Sequence, residues 1–166
     1  MVDVDWLNEP EERAWRGLQL MQMRLERELA RQLAAESELS YSDYLVLVAL
    51  TERPDGRLRL FELGELLSWE KSRLSHHVSR MEKRGLVDKE PCDEDRRGAF
   101  VVVTHHGRSE IELAAPGHLA AVRRLFLDHL DAGQLDQIGG IAETVLASLN
   151  PDSRDSDSRE SAIGPP

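Results

Sequence analysis

What this sequence lacks narrows it first. It has one cysteine, Cys92, among 166 residues, so no internal disulfide can staple it and a secreted disulfide scaffold is excluded. Its opening, MVDVDWLNEP, is acidic where a secretory signal would be basic, and no apolar h-region follows. The longest uncharged, mostly apolar run is Tyr44–Thr51, too short to span a bilayer. No internal repeat is visible. There is no Gly-rich phosphate loop, no G-x-S-x-G, no C-x-x-C and no paired metal box, so catalysis has little to stand on. These shortages lead us to expect a soluble, cytoplasmic protein that is not an enzyme, uses no cofactor and has no membrane partner. At about 150 residues per domain the length fits one domain, large enough to bury roughly 68–70% of the unfolded chain's surface.

The chain is also short of positive charge, with 21 Lys+Arg against 31 Asp+Glu and a net charge of −10. Taken whole, that argues against a polyanionic partner. The distribution says otherwise. Lys71–Arg84 holds Lys71, Arg73, Arg80, Lys83 and Arg84 against Glu82 alone. A compact basic stripe on an acidic body is a directed electrostatic feature and the usual footprint of nucleic-acid binding. The plainer alternative is a solvated helix face.

Periodicity supplies the elements. Residues 1–10 look like a loose arm. Trp15, Leu18, Gln22, Leu25, Leu29 and Leu33 recur at helical spacing and predict a long helix over 11–36 with an apolar stripe to bury. Leu39–Glu52 is a second helix, with Ser40 and Asp43 as a variant capping box and Tyr44, Leu45, Leu47, Val48 and Leu50 inward. Pro54-Asp55-Gly56 is a turn, and Leu58–Leu60 a very short strand at most. Phe61–Leu67 and Trp69–Arg84 read as helix, tight turn, helix, with Ser68 as the N-cap of the second and Gly85 at its C-terminal stop. Leu86–Glu90 and Ala99–Thr104 form a hairpin around the charged loop 91–98. Thr104 caps a helix running to about Leu130, kinked at Pro116-Gly117. A last helix runs from Asp131 or Ala132 to about Leu149. Residues 150–166, rich in Ser, Asp and Pro, are a disordered tail by composition.

The helix 69–84 has two chemistries. With Leu74 at 0° on a wheel, Val78 falls at about 40° and Met81 at about 340°, a buried face. The opposite arc, about 140–260°, collects Ser72, Ser79, Lys83, His76, Trp69, Arg80 and Arg73. It carries cations, hydroxyls and imidazole, and no carboxylate, which suits phosphate neutralisation. Ser, Arg and His also meet base edges in the major groove, and the second helix of a helix-turn-helix is the one that enters it.

These residues resemble the MarR family of winged helix-turn-helix regulators over about residues 11–149. FELGELLSWEKSRLSHHVSRMEKRGLV is similar to the family's L-x-x-L helix followed by S-x-L-S-x-x-V-x-x-L-E-x-x-G-L-V. Ser72, Leu74, Ser75, Val78, Glu82, Gly85, Leu86 and Val87 match, and Met81 replaces the commoner leucine. DEDRRGAFVVVT is similar to the wing signature D-x-R with its following strand. Asp95 and Arg97 fall on it, and Val103-Thr104 stands where Leu-Thr is usual.

The resemblance implies a mainly α fold with a small β-hairpin wing, a winged helix-turn-helix over 38–104, and terminal helices 11–36 and 105–149 that build a homodimer. It implies double-stranded DNA as partner, at an inverted-repeat operator, with repression the expected output and a small-molecule effector of unknown identity. It makes Arg97 the wing-tip reader, Asp95 the acid that holds the wing's arginines, and Arg96 a phosphate contact. The candidate DNA-binding residues are therefore Trp69, Ser72, Arg73, His76, Ser79, Arg80, Lys83, Asp95, Arg96 and Arg97. A narrow A·T-rich minor groove favours a guanidinium on physical grounds too.

Metal and redox readings are weaker. His76-His77 and His105-His106 diverge by about 100° on a helix, and His118 and His129 lie about 16 Å apart along one. His106 and Glu110 could form half a site, but no Cys or Asp cluster completes it. Oxidant-sensing relatives keep their reactive cysteine near the N-terminus, where this chain has none, so Cys92 reads as a bystander. Trp15, Tyr44 and Phe126 could line an effector pocket, or simply be core. The alternatives to a DNA-binding regulator are a helical protein-interaction module and a small ligand-processing enzyme.

Overall fold

The structure, a computed structural model, describes residues 5–92 and 99–149. Among the described residues, six α-helices and three strands follow in the order α1 (Glu9–Glu36), α2 (Tyr41–Thr51), β1 (Arg57–Arg59), α3 (Leu60–Leu67), α4 (Lys71–Lys83), β2 (Val87–Pro91), β3 (Ala99–Val103), α5 (His105–Leu125) and α6 (Ala132–Leu149), with a short 3-10 turn at Leu127–His129. The chain divides into two compact units, Met1–Val122 and Arg123–Pro166. Among the described residues no helix is long and apolar enough to cross a membrane.

The first unit is built around α2. Val46, Leu47 and Leu50 have no exposed surface, and Tyr44 and Ala49 have almost none. The helix is buried nearly all round, so Val46 and Ala49 join the inward residues expected from the pattern. Ser40 and Asp43 form the expected capping box, with Ser40 N–H donating to Asp43 Oδ2 at 2.9 Å and Asp43 N–H to Ser40 Oγ at 3.1 Å. At the chain's opening, Asn8 and Glu11 form a second box that the sequence reading passed over. It starts α1 at Glu9 rather than 11 and places Pro10 in the first turn, where a missing N–H costs nothing.

The expected antiparallel pair of β2 and β3 is present, and β1 joins it as a third strand. β1 pairs antiparallel with β3, which pairs with β2, giving the order β1-β3-β2. Arg57 faces Val102 and Arg59 faces Phe100, while Val87 faces Val103 and Pro91 faces Ala99. The short first strand thus satisfies what would otherwise be an open edge of β3.

The start of the second helix of the motif also differs from expectation. Ser68 does not cap α4. It closes α3, in the left-handed region at φ 52°. Ser68 N–H donates to Glu65 O and Trp69 N–H to Gly64 O, the two bonds of a Schellman stop. α4 therefore begins at Lys71, with Glu70 before it and no side-chain cap. Trp69 belongs to the turn. The other end of α4 matches expectation: Gly85, at φ 72°, makes the same pair of bonds through Gly85 N–H to Glu82 O and Leu86 N–H to Met81 O.

Thr104 caps α5 as expected, accepting from Gly107 N–H at 2.9 Å, and its hydroxyl donates to Gly85 O at 2.6 Å. α5 runs as one helix across Pro116 and ends at Leu125, five residues short of the expected stop. Phe126 leaves helical geometry, and i→i+3 bonds then tighten the chain into the 3-10 turn. His129 consequently lies off α5. In the second unit, α6 buries none of its residues.

Candidate nucleic-acid interface

The core fixes which side of α4 looks outward. Leu74, Val78 and Met81 are 0–1% exposed, as the wheel predicts. At about 1.5–3 kcal/mol for each buried side chain of this kind, rolling the helix by a quarter turn would be prohibitive. Ser72, Arg73, His76, Arg80 and Lys83 are accordingly exposed, and Ser79 and Trp69 are half-buried. No carboxylate lies among them. Glu82, on the flank, is engaged by Lys89 Nζ at 3.2 Å.

Not every expected contact is equally free. Ser79 Oγ donates to Ser75 O at 2.9 Å and accepts from Lys89 Nζ at 2.6 Å, so its hydroxyl proton is spent on its own helix. Trp69 packs on the core, and the Arg73 guanidinium lies 4.4 Å above its ring, a cation–π contact. Arg84, counted in the basic stripe, turns inward: it donates to Asp43 Oδ2 and to Glu38 O, both at 2.7 Å. The outward cations of the stretch are therefore Lys71, Arg73, Arg80 and Lys83. Asp95, Arg96 and Arg97 lie outside the described residues.

Beneath the outer face sits a polar cluster that the sequence reading missed. Asp43 is 2% exposed. Burial alone would raise its pKa, but the polar contact with His77 and the hydrogen bonds from Arg84 and Ser40 outweigh that and hold the carboxyl well below the usual carboxylate range. His77, 7% exposed, places Nε2 3.1 Å from Asp43 Oδ1. The approach is oblique, a short polar contact rather than an aligned hydrogen bond. Two signals for this cluster were in the sequence: Asp43 at the third position of α2, and His77 three residues after Leu74, on the edge of the buried arc.

An open groove of about 620 Å³ lies alongside, between α3, the turn, the start of α4 and Ala99. Its walls mix Arg59 and Lys71 with Glu65 and Glu70, so it does not extend the cationic surface. Arg57, on β1, is held between Asp55 at 3.0 Å and Glu90 at 3.8 Å.

Other sequence candidates settle differently. Tyr44 is 7% exposed with its ring 4.3 Å from that of His118. Burial pushes the Tyr44 hydroxyl's pKa up and the His118 imidazole's down. Trp15 is 52% exposed. His106 Nδ1 is 3.9 Å from Glu110 Oε1, and among the described residues no group of three His, Cys, Asp or Glu is placed to hold a metal ion. Cys92 is buried.

Comparison with known proteins agrees with this architecture. A model of the MarR family matches residues 37–98. The organic hydroperoxide resistance transcriptional regulator of Bacillus subtilis (strain 168) is 28% identical over 129 residues, covering 75% of this chain and 83% of its own. The crystal structure of AbsC, a MarR family transcriptional regulator from Streptomyces coelicolor, aligns with a TM-score of 0.81 at 36% identity, over 88% of this chain and 98% of that one. Sco3205, another such regulator from Streptomyces coelicolor, crystallised in complex with DNA, aligns with a TM-score of 0.84 at 38% identity, over 89% and 93% of the two chains. With that identity along nearly the whole length, and with the helix-turn-helix and three-stranded sheet in place, this chain belongs to the MarR family of transcriptional regulators.

Proposed function

We propose that the protein is a sequence-specific double-stranded DNA-binding regulator that acts as a homodimer on an inverted-repeat operator. One observation carries the reading: the exposed face of α4 bears Arg73, Arg80 and Lys83 without a carboxylate, on a helix whose opposite face is locked in the core. That surface suits major-groove entry, with Ser72, His76 and Arg80 toward base edges. Arg73, Lys83, Lys71 and Arg96 take phosphates, and Arg97, oriented by Asp95, takes the flanking minor groove. Trp69 acts by bracing Arg73, and Ser79 through its remaining lone pair. The similarity to Sco3205, a regulator crystallised with DNA, supports the same assignment.

Dimerisation is supported by apolar surface left unburied in the single chain. On α1, Trp15, Leu18 and Met21 are 41–52% exposed, and on α6, Ile141, Val145, Leu146 and Leu149 are 49–65% exposed. Exposed apolar stripes of this kind mark interaction faces, and two-fold pairing would present two copies of α4 to one duplex. Lying across a promoter, the dimer represses by excluding polymerase. A small effector relieves it only if it binds the permitted and forbidden half-site spacings unequally.

Selection of duplexes from random DNA by the full-length protein tests this. The expected product is an inverted repeat with half-site centres about 10 bp apart, or a multiple of that. Roughly 6–10 phosphate contacts should make affinity fall steeply with salt. Recovery of no enriched sequence at low salt would favour a protein-interaction module instead.

A further inference from the structure

Between the core acid and the outer face of α4 lies one imidazole, and its bonding has only one consistent protonation. Arg80 Nη2 sits 3.0 Å from His77 Nδ1. A guanidinium has five N–H donors and no acceptor, so Nδ1 must be the accepting nitrogen. The ring proton is then on Nε2, which faces Asp43 Oδ1 at 3.1 Å. The ring cannot easily turn. It is buried, and the Trp69 ring stands at 90° to it with centroids 5.4 Å apart. Trp69 in turn carries Arg73 on its face.

Resting on the reading of α4 as the base-reading helix, we propose that His77 is a positioning residue for sequence recognition, holding the Arg80 guanidinium in one pose from within the protein. An exposed arginine normally loses much rotamer freedom when it docks. Here one donor is already committed to His77 and four remain for the duplex. Fixing the side chain beforehand lowers the cost of binding and makes the direction of the fork specific. Asp43 is the anchor of the chain: it fixes the start of α2 through Ser40, the end of α4 through Arg84 and the middle of α4 through its contact with His77.

Two substitutions separate this from a structural role. His77→Asn sets an amide oxygen near the Nδ1 position, keeping an acceptor for Arg80 and giving up Asp43. His77→Gln sets its amide near the Nε2 position, keeping Asp43 and giving up the acceptor. Each full-length variant, with Arg80→Ala as reference, is titrated against the duplex selected from random DNA and its single-base-pair changes. Arg80→Ala is expected to flatten discrimination at one base pair per half-site. His77→Gln should flatten the same pair by about fivefold or more, the low end of what a bidentate side-chain–base contact contributes, with the salt slope unchanged. His77→Asn should keep most of it. Discrimination unchanged in His77→Gln, or a uniform loss over all duplexes in both variants, overturns the proposal. No effect of Arg80→Ala at any base pair overturns the reading of α4 itself. Nitrogen-15 spectra of the wild-type imidazole give a readout that needs no variant to fold: the proton should be found on Nε2, and finding it on Nδ1 refutes the assignment.

Discussion

Asp43→Ala is the most informative stability test, because one buried carboxylate serves three donors. It accepts from Ser40 N–H at 2.9 Å and Arg84 Nη1 at 2.7 Å, and His77 Nε2 is 3.1 Å away. Removing one partner of a buried charged pair costs about 3–5 kcal/mol. Arg84, however, has a side chain 42% exposed and can rehydrate, which discounts its share. The lower end, about 3 kcal/mol, is therefore expected, and at roughly 2–4 °C per kcal/mol for a chain of this size the melting temperature should drop by about 6–12 °C.

The pH dependence of that deficit gives a second, independent readout. The folded-state pKa of Asp43 is depressed below the usual carboxylate range. Its stabilisation is therefore fully present above the unfolded value and is lost as pH falls through the folded one. The gap between wild type and Asp43→Ala should be flat from about pH 5 to 8 and shrink progressively below about pH 4. Thermal or urea unfolding at matched protein concentration measures it. A deficit under about 1 kcal/mol at pH 7, no more than a single ordinary hydrogen bond, or one that does not shrink in acid, would mean that the cluster does not anchor α4 to α2.

Three further outcomes are expected. Gly107→Ala should destabilise by about 1–3 kcal/mol, as overpacking does, because the new methyl would collide with Leu86 O and approach Leu47 Cδ2 to 3.2 Å; an unchanged unfolding midpoint would show that α5 can shift there. Ser68→Gly should stabilise by about 1 kcal/mol, relieving a left-handed residue worth roughly 1–2 kcal/mol against a partly offsetting gain in unfolded-state freedom; denaturant unfolding that shows a loss would contradict the role given to φ 52° at this turn. Arg97→Ala should weaken binding to the selected duplex by about 1–3 kcal/mol if the residue reads bases or groove width, and equal affinity at matched salt would take it out of the interface.

The helices were legible because local rules and tertiary demands agreed. Ser40 with Asp43, Gly85 and Thr104 each perform the terminal role their sequence positions suggest. Leu74, Val78 and Met81 recur at helical spacing and are all buried. Local rules mislead where one residue type suits two roles. Ser68 is as good an N-cap by type as any serine, but the tight turn needs a left-handed residue at that point, and the backbone bonds of α3 claim it. β1, three residues long, has almost no signal of its own; it exists because β3 offers it an edge.

By itself, then, the chain's order of residues settled the periodic faces, the terminal caps, the placement of cations on one arc of α4 and, through its motifs, the family. Those depend on neighbours within about one helical turn. Only the folded molecule decided that Arg84 points inward, that Ser79 is occupied by Lys89, and that Asp43 and His77 meet under Arg80. The physical reason is distance along the chain: Asp43 and Arg84 are 41 residues apart, and no local pattern encodes a contact that exists only after α2 and α4 have packed on the same core.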